Sequence, residues 1–335
     1  SNFKGLVKHF KLYAADLLES FNFRSGSLAV EIGSNDGTFL VNLKKNGMKV
    51  IGIDPSIDAS NIANEREIFT IPDYFSISIS KDILKSHGEA SLVIANNVFA
   101  HSDNLIDLIE GISLLLSENG IFVFEVSYLL NIVDDFIFDT VYHEHVSYHS
   151  ISPLQKVFSN YGLEIFDINS NKSKGGSIRC FVKKINSIRY NVKETVNEHI
   201  KNEINRGFLQ KGVYEKYNRD ILQKKAEVLN LIDHLLKDGK KIVGYGASTT
   251  VTTLMWHFEL TKKLLFLVDD NKNKHYLFSP RSHLEVFPSS EIINQDIDFV
   301  IILAWNYSKV IIENNKEFKD KGGKFIIPLP QLEII

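Results

Sequence analysis

Two histidines, a carboxylate and a phenol fall within four residues at Tyr142-His143-Glu144-His145. Asp139-Thr140-Val141 leads into them, and Phe136, Phe138, Tyr148 and His149 surround them. No ordinary helix or strand face needs that mixture. A histidine titrates near working pH, so His145 is suited to take and return a proton. A phenol such as Tyr142 can donate to a developing oxyanion, and Glu144 can orient the base or bind a polar substrate group. The segment is read as a proton-transfer site over which two halves of the chain close, one holding a cofactor and the other a substrate. The alternative is a polar turn between domains, its histidines only satisfying hydrogen bonds.

The elements around this segment must position it. Residues 3–20 have helical apolar spacing through Leu6, Phe10, Tyr13, Ala14 and Leu17, which suits a packing helix, the alternative being a helix that covers a cofactor site. Apolar runs at 27–32, 50–53, 67–71, 91–95 and 120–126 read as buried strands. Helical patterns lie between them, notably at 103–117. That alternation implies βαβ units and a parallel sheet whose strand C-terminal ends share one edge. Beyond the segment, a helix is expected at 151–161 and strands at 163–168 and 177–184. Residues 187–238 read as long solvated connecting helices. A second α/β unit follows, with strands at 241–245, 264–268, 299–303 and 325–328. The expected fold class is α/β, Rossmann-like in both units. The expected domains are 1–150 for a cofactor, 151–238 for connecting strands and helices, and 239–335 for a substrate.

Composition narrows the function. The chain has 335 residues, 44% hydrophobic and 24% charged, with ample material for a core. Its net charge of -3 gives no basic field for nucleic acid. One cysteine, Cys180, excludes an intramolecular disulfide framework and any cysteine-rich zinc site, and no metal is expected. No signal peptide and no run of about 20 apolar residues is legible, so no membrane partner is expected. The expected location is the cytoplasm, and the oligomeric state is not legible.

Glu31-x-Gly33-x-Asn35-x-Gly37 after the first strand, with Asp54 ending the second, is a nucleoside-cofactor pattern. Glycine lets the backbone approach a ligand, and the acid suits two ribose hydroxyls. A dinucleotide site wants G-x-G-x-x-G and a pyrophosphate on a helix N-terminus. Here Asp36 near the helix start and Glu31 on the strand would repel phosphate. S-adenosylmethionine carries no phosphate and has a cationic sulfonium and an ammonium, so these carboxylates favour it. The expected contacts are Glu31, Gly33, Ser34, Asn35, Gly37, Asp54, Pro55, Tyr74 after the third strand, and Asn96, Asn97 and His101 after the fourth. A capping role is the alternative for either asparagine.

Seven motifs occur in one order: Glu31-Ile32-Gly33-Ser34-Asn35-Asp36-Gly37; Asn96 to His101; Phe138 to His145; Gly175-Gly176-Ser177-Ile178-Arg179; Gly244-Tyr245-Gly246-Ala247; Val268-Asp269-Asp270-Asn271; and Ile302 to Asn306. Together they resemble the S-adenosylmethionine-dependent sugar C-methyltransferases, which act on keto-sugar nucleotides. The likeness runs from about residue 5 to the end. It implies a methyltransferase domain, a second α/β domain and a substrate between them. Members usually begin with a cysteine-ligated zinc module. One cysteine cannot build it, so that module lies outside this sequence or is naturally lacking. Thr250-Val251-Thr252 stands where many relatives have Lys-Gly-Asn, and Lys174 stands where they have His.

The resemblance implies base-catalysed enolate formation and attack on the sulfonium methyl, with the last histidine of Tyr-His-Glu-His, His145, as base. Tyr142 and Tyr245 are the expected enolate donors, and Glu144 completes the catalytic set. Substrate contacts are expected from Lys174, Ser177, Arg179, Ala247, Asp270, Asn271, Trp305 and Asn306. Arg179 suits a diphosphate, or else a salt bridge on a strand. Asp270 and Asn271 could read a nucleoside or make a turn. Trp305 could touch ligand or fill core. The competing readings are an O- or N-methyltransferase of a sugar or glycan precursor, a catalytically idle sugar-nucleotide-binding homologue, and, on Gly244-x-Gly246 alone, an oxidoreductase.

Overall fold

The computed structural model describes residues 4–171 and 176–335. The chain folds as two compact units. One takes residues up to Leu130 together with Val146–Arg206, and the other takes Asn131–His145 together with Gly207–Ile335.

The first unit is built on a seven-stranded sheet of order β3-β2-β1-β4-β5-β7-β6. Its strands are β1 (Leu28–Ile32), β2 (Lys49–Ile53), β3 (Thr70–Ile71), β4 (Ala90–Asn96), β5 (Leu116–Ser127), β6 (Leu163–Asn171) and β7 (Ser177–Lys184). β1 to β5 are mutually parallel, so their C-terminal ends meet at one edge. β7 pairs antiparallel with β5, and β6 antiparallel with β7. Helices α1 (Lys4–Phe21), α2 (Leu40–Lys45), α3 (Ile57–Glu65), α4 (Ile77–His87) and α5 (Leu105–Leu115) precede or cross between the parallel strands. Every residue of β1 is buried, as its continuous apolar run requires of a strand covered on both faces. Behind β5, Phe99, Phe122 and Phe124 stack with centroids 4.6–5.7 Å apart. Full burial of such a ring contributes about 1.5–3 kcal/mol.

Helix α6 (Leu129–Asp134) begins the strap that ends at His145; α7 (Ile151–Asn160) and α8 (Glu194–Asn205) return to the first unit. The second unit adds α9 (Lys211–Lys237) and α10 (Thr249–His257) to a six-stranded sheet of order β10-β9-β8-β11-β12-β13. Its strands are β8 (Ile242–Tyr245), β9 (Leu267–Val268), β10 (Val286–Phe287), β11 (Phe299–Ile302), β12 (Lys324–Ile327) and β13 (Glu333–Ile334). All pairings are parallel except that of β13 with β12.

Both units are α/β and Rossmann-like, the expected class. The expected boundaries at 150 and 238 are replaced, for physical reasons. β6 and β7 extend the first sheet, so 163–184 is no connector. Ile221, Val228 and Ile232 of α9 join Ile137 and Phe138 of the strap in one core with Ile242 and Leu254. Long helix and strap therefore belong to the second unit. Among the described residues no helix is long and apolar enough to cross a membrane.

Candidate active site

In the first unit, the turn after β1 is shaped by its backbone. Gly33 has φ +71°, and a Cβ there would meet the Val98 side chain at 2.6 Å. Only glycine fits that combination. The Gly33 and Ser34 N–H groups donate to the Ile53 carbonyl at 2.7 and 3.1 Å, tying the turn to β2. Asp54, at the end of β2, accepts from the Asn35 N–H and the Ser56 N–H, each at 2.9 Å. Each carboxylate oxygen retains capacity for a ribose hydroxyl.

The two other acids differ in state. Burial pushes Asp36 up, but hydrogen bonds from backbone and Thr38 and the Arg66 charge outweigh it and hold it at about 2. Arg66 lies 3.1 Å from its carboxylate. Glu31 is buried, and burial first, with the charges of Asp54 and Asp36 adding, pushes its pKa well above the usual range; the Asn96 amide alongside opposes this. Among the described residues, five buried side-chain polar atoms without a hydrogen-bond partner belong to Tyr13, Glu31, Ser34 and Asn96. An ammonium could donate to the oxygens among them, and a nearby cation restores charge to Glu31; Asn96 Nδ2, a donor, would need an acceptor such as a ligand carboxylate. The donor set therefore fits S-adenosylmethionine, and Glu31, Gly33, Asn35, Asp54 and Asn96 would hold it.

The remaining residues expected at the cofactor gather at the same strand edge. Pro55 follows β2, exposed Tyr74 follows β3, and Asn97 and exposed His101 follow β4. Asn97 has φ +56°, and its N–H donates to the Glu125 carbonyl at 2.8 Å. Tyr13 lies on α1, the helix that the sequence offered as packing or as a cover for a cofactor site, and its buried hydroxyl has no hydrogen-bond partner.

Two substrate expectations change in this unit, and a third falls on a residue that is not described. Arg179 of β7 is buried; its Nε and Nη2 donate to Glu125 Oε2 at 3.3 and 3.0 Å, and its guanidinium lies 3.3 Å from the Tyr13 ring centroid. Its salt bridge, not a diphosphate, explains its place. Ser177 is fully buried at the start of β7, paired with Ser127. Lys174 lies outside the described residues.

In the second unit, the strap runs along the core. The Tyr217 hydroxyl donates to the Ile132 carbonyl at 3.0 Å, and Phe138 stacks on Phe258 at 5.3 Å. Phe138–Thr140 forms one 3₁₀ turn, closed by the Val141 N–H to the Phe138 carbonyl. His145 folds back on that turn. Its Nδ1 lies 2.8 Å from the Thr140 carbonyl and 3.1 Å from the Thr140 hydroxyl. A carbonyl only accepts, so Nδ1 carries the proton and Nε2 is left as the basic atom. The Tyr142 hydroxyl donates to that Nε2 at 3.1 Å, with ring centroids 4.2 Å apart. Burial, then the Glu144 charge, raises the Tyr142 pKa, so the phenol stays protonated. His143 and Glu144 are exposed, 4.0 Å apart.

Tyr142 and His143 line a cleft of about 790 Å³ with Ser248, Trp256, Lys274 and Arg281. It opens at the N-terminus of α10, capped by Ser248, whose hydroxyl accepts from the Val251 N–H. The turn between β8 and α10 passes through Gly246, φ +112°, where a Cβ would press on Ala304 at 2.9 Å. Asp269 accepts from the Ala247 N–H at 2.8 Å and from Lys274 at 3.1 Å. Arg281 stands over the Trp256 ring at 5.1 Å. Among the described residues no group of three or more His, Cys, Asp or Glu converges as a metal site.

Other expectations in this unit are corrected. Tyr245 is buried, and its hydroxyl donates to Asp270 at 2.7 Å and accepts from Asn315 at 3.2 Å. Burial, then Asp270, pushes it up to about 12. It packs with Phe325 and Ile302 instead of facing the cleft. Trp305 is core, its indole N–H given to Asp139 at 2.9 Å. Asn271 caps the turn Lys272–Lys274. Asp270 and Asn306 are exposed; Ala247 does line the cleft.

Comparison with known proteins places these sites in context. The C-methyltransferase C-terminal domain family matches residues 172–330, and a methyltransferase domain family matches residues 7–168. C-methyltransferase NovU from Streptomyces niveus is 31% identical over 331 residues, 98% of this chain and 79% of that protein. Among solved structures, magnesium protoporphyrin IX methyltransferase from Synechocystis PCC 6803 with bound SAH covers 54% of this chain and 84% of its own, at 14% identity and TM-score 0.42. N-methyltransferase NodS from Bradyrhizobium japonicum covers 55% and 99%, at 15% identity and TM-score 0.40.

Proposed function

The chain belongs to the C-methyltransferases and takes S-adenosylmethionine as its cofactor, and on that premise we propose that its acceptor is a keto-sugar nucleotide, methylated on the carbon beside the ketone. The observation that carries this reading is the state of His145. Thr140 takes the Nδ1 proton, and a phenol sits on Nε2.

In this reading Nε2 takes the proton α to the ketone, and the electron pair of the broken C–H bond passes into an enolate. At rest the Tyr142 hydroxyl donates to Nε2. A bound ketone would draw that donor to its own oxygen, freeing the lone pair as the enolate charge develops. When bound, S-adenosylmethionine supplies the electrophilic methyl group that the carbon accepts. The residues expected to bind it lie in the first unit, and the base lies in the second.

The cleft beside Tyr142 supports the nucleotide handle. Its volume suits a small ligand. The α10 N-terminus, Lys274 and Arg281 suit a diphosphate, and exposed Trp256 and Phe278 offer faces for a base.

The test is deuterium uptake. With S-adenosylhomocysteine in D2O, the protein should exchange the α hydrogen of a keto-sugar nucleotide without methylating it. His145→Gln should slow exchange by about 10²–10⁴-fold and leave S-adenosylhomocysteine affinity unchanged. Methyl transfer to an oxygen or nitrogen, with no exchange at carbon, would reject the proposal.

A further inference from the structure

The base is oriented by a carbonyl, and that carbonyl sits on a turn with its own restraint. Asp139, the middle residue of the turn, is buried, and its Oδ2 accepts the Trp305 indole N–H at 2.9 Å. Trp305 lies just after β11, on a turn tied to β8 by the Leu303 and Ala304 N–H groups, which donate to the Tyr245 carbonyl at 3.0 Å. Phe138, one residue earlier, is clamped by Phe258. The turn is thus fixed on both sides, by ring packing and by one side-chain hydrogen bond to the sheet. The His145 ring takes its direction from the next residue, Thr140.

We propose that Asp139 and Trp305 are positioning residues for His145: their hydrogen bond sets the Thr140 carbonyl, which holds the base in its Nδ1–H tautomer, with Nε2 as the accepting atom. The link from sheet to base is Trp305, Asp139, Thr140, His145, all within one unit. Asp139 touches neither substrate nor cofactor in this scheme. The hydrogen bond matters, not the charge. An asparagine can accept from the indole through its amide oxygen, so Asp139→Asn retains the device. Asp139→Ala and Trp305→Phe break it. A misdirected general base loses rate steeply, since small displacements suffice to lose about 10²-fold.

The proposal rests on His145 as base, but its test needs no substrate. Nitrogen-15 NMR of histidine-labelled protein, with His145 assigned through His145→Gln, reports which ring nitrogen carries the proton. The wild type and Asp139→Asn should each show a single Nδ1–H tautomer. Trp305→Phe and Asp139→Ala, checked for cooperative melting, should lose it and show mixed tautomers. A folded Trp305→Phe variant with the wild-type signature would overturn the proposal. So would an Asp139→Asn variant as disturbed as Asp139→Ala. A wrong substrate leaves these spectra untouched, while normal turnover in His145→Gln would sink the base assignment alone.

Discussion

The carboxylate of Asp54 accepts the backbone N–H of Asn35 at 2.9 Å, so the acid that ends β2 clips the glycine turn that follows β1. The second unit repeats the arrangement, with Asp269 accepting the Ala247 N–H at 2.8 Å. Each acid fixes a turn at the strand ends where such folds bind ligands.

Asp54→Ala therefore removes a carboxylate with room for a ribose hydroxyl and loosens the turn that it clips. One hydrogen bond to a charged group is worth about 1.5–3 kcal/mol, so S-adenosylhomocysteine affinity should fall about 10–100-fold. Calorimetric titration measures it, and unchanged affinity would reject the ribose contact.

Glu31 should make cofactor binding pH-dependent. Burial holds its carboxyl protonated above the usual range, whereas a bound ammonium or sulfonium favours the carboxylate. Binding should then release a proton, and affinity should rise as pH rises until the free protein has itself lost that proton. Titration in buffers of different ionisation enthalpy reads the release directly. Glu31→Gln should abolish it and bind more weakly. Proton uptake would reverse the argument.

Much of this was legible because strands buried on both faces must be apolar throughout. β1, β4, β8 and β11 stand out in the sequence for that reason. The two-residue strands β10 and β13 have no such run; neighbours, not composition, make them strands. The strap was harder. Ile137 and Phe138 look like any apolar pair, and only packing assigns them to the second core. Arg179 and Glu125 read as polar groups on separate strands until the register pairs them. At the end of β9 the strand stops at Val268, so Asp269 takes the clipping position and Asp270 turns to Tyr245. A one-residue shift in a strand end decides which acid does which.

Arg179 separates stability from substrate binding. Its guanidinium and Glu125 are both buried, and breaking such a pair leaves an uncompensated charge at about 3–5 kcal/mol. Arg179→Met should lower the melting temperature markedly and leave nucleotide affinity unchanged. Weaker nucleotide binding at normal stability would restore the diphosphate role.

Arg281 should behave the opposite way. It is exposed at the cleft, over Trp256. Arg281→Ala should cost little stability but weaken nucleoside diphosphate binding by roughly tenfold or more, if the cleft takes that handle. Thermal shift with TDP, UDP, GDP and CDP measures both. A uniform absence of nucleotide response in the wild type would remove the handle.

Asp139 gives a stability profile of unusual sign for a carboxylate. Burial raises it to about 6, against the pull of the Trp305 N–H. Below about pH 4 the folded and unfolded states both hold the proton. Between there and about 6 the folded state keeps a proton that the unfolded chain has lost, so stability falls as pH rises through that window. A shift of this size corresponds to at most ~3 kcal/mol lost by neutral pH. Asp139→Asn keeps the indole acceptor and has no proton to lose. It should melt near the wild type at pH 4 and several degrees above it at pH 7.5. Melting curves of the two proteins across that range test this, and a constant difference would show that Asp139 is ionised in the fold at both ends.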